Sequence, residues 1–135
     1  MELQVGVKVL LKNKEGRYLL LRRSAKKYPE VGEQWDMVGG RINPGTTLME
    51  NLAREVREEA GLSLASNPRL IAAQDILRVP GRHVVRLTYI GTADGEPKLS
   101  EEHDRYRWFD LSEIGTASRS DPYLKELLDK NTIVD

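Results

Sequence analysis

Residues 47–61 constrain this chain more than any other stretch, because they carry the signals for one amphipathic helix and both its ends. Thr47, followed three residues later by Glu50, forms a capping box in which hydroxyl and carboxylate satisfy amides that a helix start leaves free. Leu48, Leu52, Val56 and Ala60 recur every four residues and supply an apolar stripe, with Ala53 beside it. Gly61 suits the left-handed residue that ends a helix. The spacing predicts a helix over 47–60.

A helix with one apolar face needs a partner, and the flanking sequence offers strands. Residues 3–11 are rich in Val and Leu, residues 12–16 are turn chemistry, and residues 17–22 read as the returning strand. Residues 26–34, with Pro29 and Gly32, are expected to be a loop, and 35–38 a short strand that Gly39 and Gly40 break. Further strands are expected over 69–77 and 83–91, joined by a turn at Pro80 and Gly81, with a short one over 105–109. Asp121 and Pro122 open a last helix reaching about Asp129, with Asp as cap and Pro at the first helical position. The order of strands, helix, strands, helix predicts an α/β fold, a mixed β-sheet sandwiched between α-helices. At 135 residues the chain reads as a single domain, 1–135.

Composition removes several kinds of function. Lys and Arg total 21 and Asp and Glu total 21, so no global field points to a nucleic acid duplex or an anionic membrane. The absence of cysteine excludes disulfides, thiolate metal sites and a cysteine nucleophile. No apolar stretch approaches the roughly 20 residues that cross a bilayer, and Met1 to Gln4 do not read as a signal peptide. A soluble cytoplasmic protein is the expectation.

The helix also carries Glu55, Glu58 and Glu59, at i, i+3 and i+4, within a sector of about 100° on one face. Glu55 and Glu59 repel at that spacing, and a hard divalent cation with oxygen ligands would offset the repulsion. The competing explanation is a solvated face laced with ion pairs, since Glu50–Arg54 and Arg54–Glu58 both have i, i+4 spacing.

The surroundings decide between them. From Gly40 to Leu62 the run resembles the Nudix box, G-x₅-E-x₇-R-E-U-x-E-E-x-G-U with U aliphatic. Gly40, Arg54, Glu55, Val56, Glu58, Glu59, Gly61 and Leu62 fill eight of its nine specified positions, and Thr46 stands where the box has its first glutamate. The context is similar to that family as well, with a hairpin ending in Arg22 and Arg23, Trp35 to Gly40 leading into the box, and Glu102 to Trp108 where many members place one more acidic ligand. Val38 replaces the proline that often precedes the glycine pair.

The resemblance implies an Mg²⁺-dependent hydrolase, with Mn²⁺ as a substitute, that cleaves the phosphoanhydride of a nucleoside diphosphate linked to another moiety and releases a nucleoside monophosphate. It implies Glu55 and Glu59 as metal ligands with the Gly39 carbonyl, Glu58 as a ligand through water or the base, and Glu102 as ligand or base. Arg23 and Arg41 are candidates for holding phosphate oxygens, since a guanidinium suits them bidentately. Trp35 and Tyr28 are candidates for stacking on a base, with core packing the alternative for Trp35. The loop from Tyr28 to Gly32 is a candidate specificity element. His103 is a candidate base against an ordinary surface histidine; His83 reads as structural or at the rim of the cleft, and Tyr106 and Trp108 as core. Thr46 carries no charge, so Arg54 is expected to turn to Glu50 or Glu58. Two other functions remain open at this point: a non-catalytic nucleotide-sensing module, and a nucleotide-sugar hydrolase attacking at sugar carbon. A small-molecule nucleotide is the expected partner, and a homodimer is common in such families.

Overall fold

The structure is a computed structural model that describes residues 1–27, 29, 34–116, 121–130 and 132–133. Its centre is strand β1, Glu2–Lys12, which pairs in parallel with β6, Arg82–Thr92, along its whole length, from Glu2 opposite Arg82 to Lys12 opposite Thr92. Strand β5, Arg69–Ile76, lies antiparallel beyond β6. The other edge of β1 is shared. Its Gly6–Val9 segment pairs with β4, Val38–Arg41, whereas β2, Tyr18–Arg23, joins it only at Lys12 opposite Tyr18. Strand β2 then pairs with β3, Trp35–Asp36, and with β7, His103–Phe109. The sheet therefore splays open between β2 and β4, and the functional side chains gather in that split.

Alternation along β1 sorts the two cores. Val7, Val9 and Leu11 face Leu52, Val56 and Ala60 of the box helix, while Leu10 faces Ile114, Leu124 and Leu127 on the opposite side. Those last residues come from α2, Leu111–Thr116, and α3, Pro122–Asp129. Helices thus cover both faces of a mixed sheet, as the order of elements predicts. Asp121 caps α3 by accepting from the Tyr123 N–H, with Pro122 in the first turn, also as expected. Helix α2 was not expected from the sequence. No described helix is long and apolar enough to cross a membrane.

Two expectations change. Gly39 and Gly40 do not break a strand; they lie inside β4, and the interruption falls at Met37 instead. The helix over 47–60 is α-helical only as α1, Leu48–Glu55, and widens into a π-helical turn at Val56–Ala60 before Gly61 closes it at φ 65°. Of the capping box, the Thr47 half forms among the described residues, its hydroxyl accepting from the Glu50 N–H at 3.1 Å. Tyr28 and the loop through Gly32, apart from Pro29, lie outside the described residues.

Candidate active site

Two glycines bring the box helix onto β4. Gly39 has φ 146°, and a Cβ there would stand 2.0 Å from the Val7 carbonyl oxygen, so only glycine lets β4 pair with β1 at this point. Its N–H donates to Glu59 Oε1 at 2.8 Å. A Cβ on Gly40 would meet the Glu55 carboxylate at 3.1 Å, so that carboxylate packs directly against the strand backbone. The three glutamates meet different surroundings around the π-helical turn. Glu59 turns inward and is 7% exposed, Glu55 is half-buried, and the Glu58 side chain is 60% exposed. Burial pushes the Glu59 carboxyl up to about 7, against the pull of Lys8 and the Gly39 amide. Burial also raises Glu55, against the opposing charge of Arg54.

Glu102 reaches the same place from the turn before β7. One ligand atom each from Glu59, Glu102 and His103 lies within 4.8 Å of the others. His103 is buried, which corrects the surface reading, and desolvation holds its ring down at about 4. Strand β7 starts two residues before the span of 105–109 expected for it, so His103 belongs to it.

Beneath the carboxylates lies a charge network that the sequence reading missed. Lys8, 8% exposed, donates from Nζ to Asp36 Oδ2 at 3.0 Å, to the Met37 carbonyl at 3.2 Å and to the Gly39 carbonyl at 3.3 Å. Arg23 Nη2 lies 3.4 Å from the same Asp36 oxygen. Burial alone would raise the Asp36 carboxyl, but Lys8, Arg86 and Arg23 outweigh it and hold the group well below the usual carboxylate range. Arg86 pairs with buried Asp121, whose own N–H donates to the Trp35 carbonyl. The available signal was Lys8 standing inside residues 5–11, which are otherwise Val, Leu and Gly.

Arg54 turns to Glu58, as expected, and not to Glu50: its guanidinium lies 3.1 Å from Glu58 Oε2, 3.0 Å from Glu55 Oε1 and 3.1 Å from Asn51 Oδ1. Buried Asn51 is a hub. Its Oδ1 also accepts from the Asn43 N–H, and its Nδ2 donates to Thr46 Oγ1 and the Thr47 carbonyl. Thr46 in turn donates to the Asn43 carbonyl.

A cavity of about 700 Å³ gathers Gly39, Glu55, Glu58, Glu59 and Glu102 with Arg23, Arg41 and Arg86. Arg41 is exposed, and its guanidinium is held below its usual value by desolvation and by the charges of Arg82 and Arg86. Trp35 does not line this cavity. It packs edge-on against Phe109, with ring centroids 5.2 Å apart, in the core under α2 and α3. His83 pairs with Asp75 on the sheet, while Tyr106 and Trp108 pack against the core under α1.

The NUDIX domain pattern matches residues 2–130. The chain is 29% identical over 86 residues to a putative 8-oxo-dGTP diphosphatase 2 of Mycobacterium tuberculosis, a match that spans 64% of this chain and only 60% of that relative's length. It is 33% identical over 129 residues to the nucleoside triphosphatase NudI of Escherichia coli, covering 84% of this chain and 91% of that one. The MutT protein of Methanosarcina mazei superposes with a TM-score of 0.83 at 29% identity, over 95% of this chain and 91% of that structure. A mixed sheet split around a glycine pair and a carboxylate helix defines a class of small α/β domain, and this chain belongs to the Nudix family within it. Members of that family use a divalent metal, and the residues here fit one. A buried carboxylate pushed toward neutrality beside a second carboxylate regains its charge when a cation lies between them.

Proposed function

We propose that the chain is a cytoplasmic, single-domain pyrophosphohydrolase spanning residues 1–135. With Mg²⁺, or Mn²⁺ in its place, it cleaves the phosphoanhydride of a nucleoside diphosphate linked to another moiety and releases a nucleoside monophosphate. Its substrates are small nucleotides rather than a nucleic acid duplex. The observation that carries this reading is the convergence of Glu59 and Glu102, from separate elements, on a cavity that also holds Glu55, Arg23 and Arg41. The names of the relatives, a diphosphatase and a nucleoside triphosphatase, point to the same class of bond.

Gly39, Glu55, Glu59 and Glu102 would hold the metal. Bound there, a divalent cation neutralises phosphoryl oxygens and lowers the pKa of water. Arg23 and Arg41 grip the phosphate chain and keep phosphorus in line for attack. Glu58, outside the buried group and tethered by Arg54, takes the proton of the attacking water. The new P–O bond forms as the anhydride P–O bond breaks, and its electron pair leaves with the departing phosphate.

Incubation with Mg²⁺ and a panel of nucleoside triphosphates, oxidised nucleotides and nucleotide sugars tests this. The expected result is release of a nucleoside monophosphate from at least one of them, with a loss of about 10²-fold or more in Glu59→Gln. A folded protein that turns over none of the panel would overturn the reading.

A further inference from the structure

Buried polar atoms in folded proteins find partners, so one that has none and lies beside other ligand-type groups points to something bound among them. His103 Nδ1 is such an atom. It is buried, and it has no hydrogen-bond partner among the described residues. The residue itself is 7% exposed, and a ring nitrogen lies within 4.8 Å of carboxylate oxygens of Glu59 and Glu102. The fold is arranged to put it there. Strand β7 runs opposite β2 with Arg105 facing Arg22, and a register shift then places His103, not Asp104, opposite Arg23. A bulge of that kind re-aims side chains, and here the exposed Asp104 turns out to Arg22 while His103 turns into the split of the sheet.

From this geometry we infer that His103 is itself a metal ligand, and that Glu59, Glu102 and His103 form a mixed nitrogen–oxygen site. The inference rests on the reading above that Glu59 and Glu102 face a divalent cation, and it adds a consequence for which cation. Mg²⁺ strongly prefers oxygen donors, whereas imidazole suits transition ions and their affinity rises from Mn²⁺ through Co²⁺. The site therefore favours Co²⁺ and Mn²⁺ over Mg²⁺ more than an all-carboxylate site would.

The chain has two histidines, and His83 is engaged with Asp75 away from this cluster, so a nitrogen signal from the metal can be assigned. Electron spin-echo modulation of the whole 135-residue chain loaded with Mn²⁺ is expected to carry ¹⁴N couplings of a directly bound imidazole, retained in His83→Asn and lost in His103→Asn. Calorimetric titration with Co²⁺ and with Mg²⁺ gives the second readout. In His103→Asn the Co²⁺ affinity is expected to fall about tenfold or more, and the Mg²⁺ affinity much less. Tight Mn²⁺ binding to the unmutated protein without ¹⁴N coupling would overturn this inference and leave the metal-dependent reading standing. Absence of any Mn²⁺ binding would overturn both. The spectroscopic arm uses the native chain, so a misfolded variant does not spare the inference.

Discussion

Asn51 is where a single side chain does most to replace an expected one. A glutamate at position 46 would offer Arg54 a charge; Thr46 offers only a hydroxyl, and Asn51 links that hydroxyl, the Asn43 amide and Arg54 through one buried carboxamide. The substitution is a redistribution of hydrogen bonds, not a gap. Asn51→Leu keeps the branched shape and strands the Asn43 N–H and one arm of Arg54. The expected cost is about 2–3 kcal/mol, read by urea unfolding of the two proteins side by side. A loss below about 1 kcal/mol would mean that water replaces the carboxamide and that the loop does not depend on it.

At the scale of elements, β4 and the box helix form one device. Gly39 lets the strand reach β1 and presents its amide to Glu59; Gly40 leaves room for Glu55. Alanine at the two positions should therefore fail in different ways. Gly39→Ala drives a Cβ into the Val7 carbonyl and should cost more than about 4 kcal/mol, enough to threaten folding. Gly40→Ala meets only the movable end of Glu55 and should keep its circular dichroism and most of its melting temperature while binding Mn²⁺ more weakly. Equal destabilisation by both would show that Gly40, too, serves the strand.

The helix start and the carboxylate spacing were legible because caps and periodicity are local. The continuation of β4 through two glycines was not, since it depends on β1 lying alongside. Nor was the π-helical turn, whose last residue accepts from the Lys98 N–H and whose Glu59 is held by Gly39, both contacts distant in sequence. Lys8 was hidden for the same reason, since the sheet brings Asp36 to it, and so was the burial of His103 beside Glu59, although His103 itself stood out as a candidate base.

For the whole molecule, the split sheet holds a buried carboxylate, Glu59, whose ionisation carries a cost that depends on pH. Glu59 has a carboxyl raised to about 7 in the folded chain without metal, against 4.5 for the free group. Below about 4.5 both folded and unfolded chains hold that proton, and Glu59 takes nothing from stability. His103, held at about 4 against 6.5 for the free ring, adds stability as pH rises between about 4 and 6.5. Glu59 works against it: between about 4.5 and 7 the unfolded chain releases the proton and the folded chain keeps it, so this carboxyl takes stability away as pH rises across that window. Above about 7 the loss levels off, at a few kcal/mol on the order of 1.4 kcal/mol per pH unit of displacement. A divalent cation binds the ionised form and removes the penalty, so its stabilising effect should grow with pH up to about 7. Urea unfolding at pH 5, 6, 7 and 8, with and without Mn²⁺, measures both slopes against Glu59→Gln, in which metal-free stability should rise more with pH than it does in the native chain. A metal-free slope identical in Glu59→Gln would place the pH dependence elsewhere, with Asp121 the next group to examine because burial raises it too, against its partner Arg86. Growth of the Mn²⁺ effect through pH 7, in the native chain alone, would tie folding, protonation and the metal to Glu59.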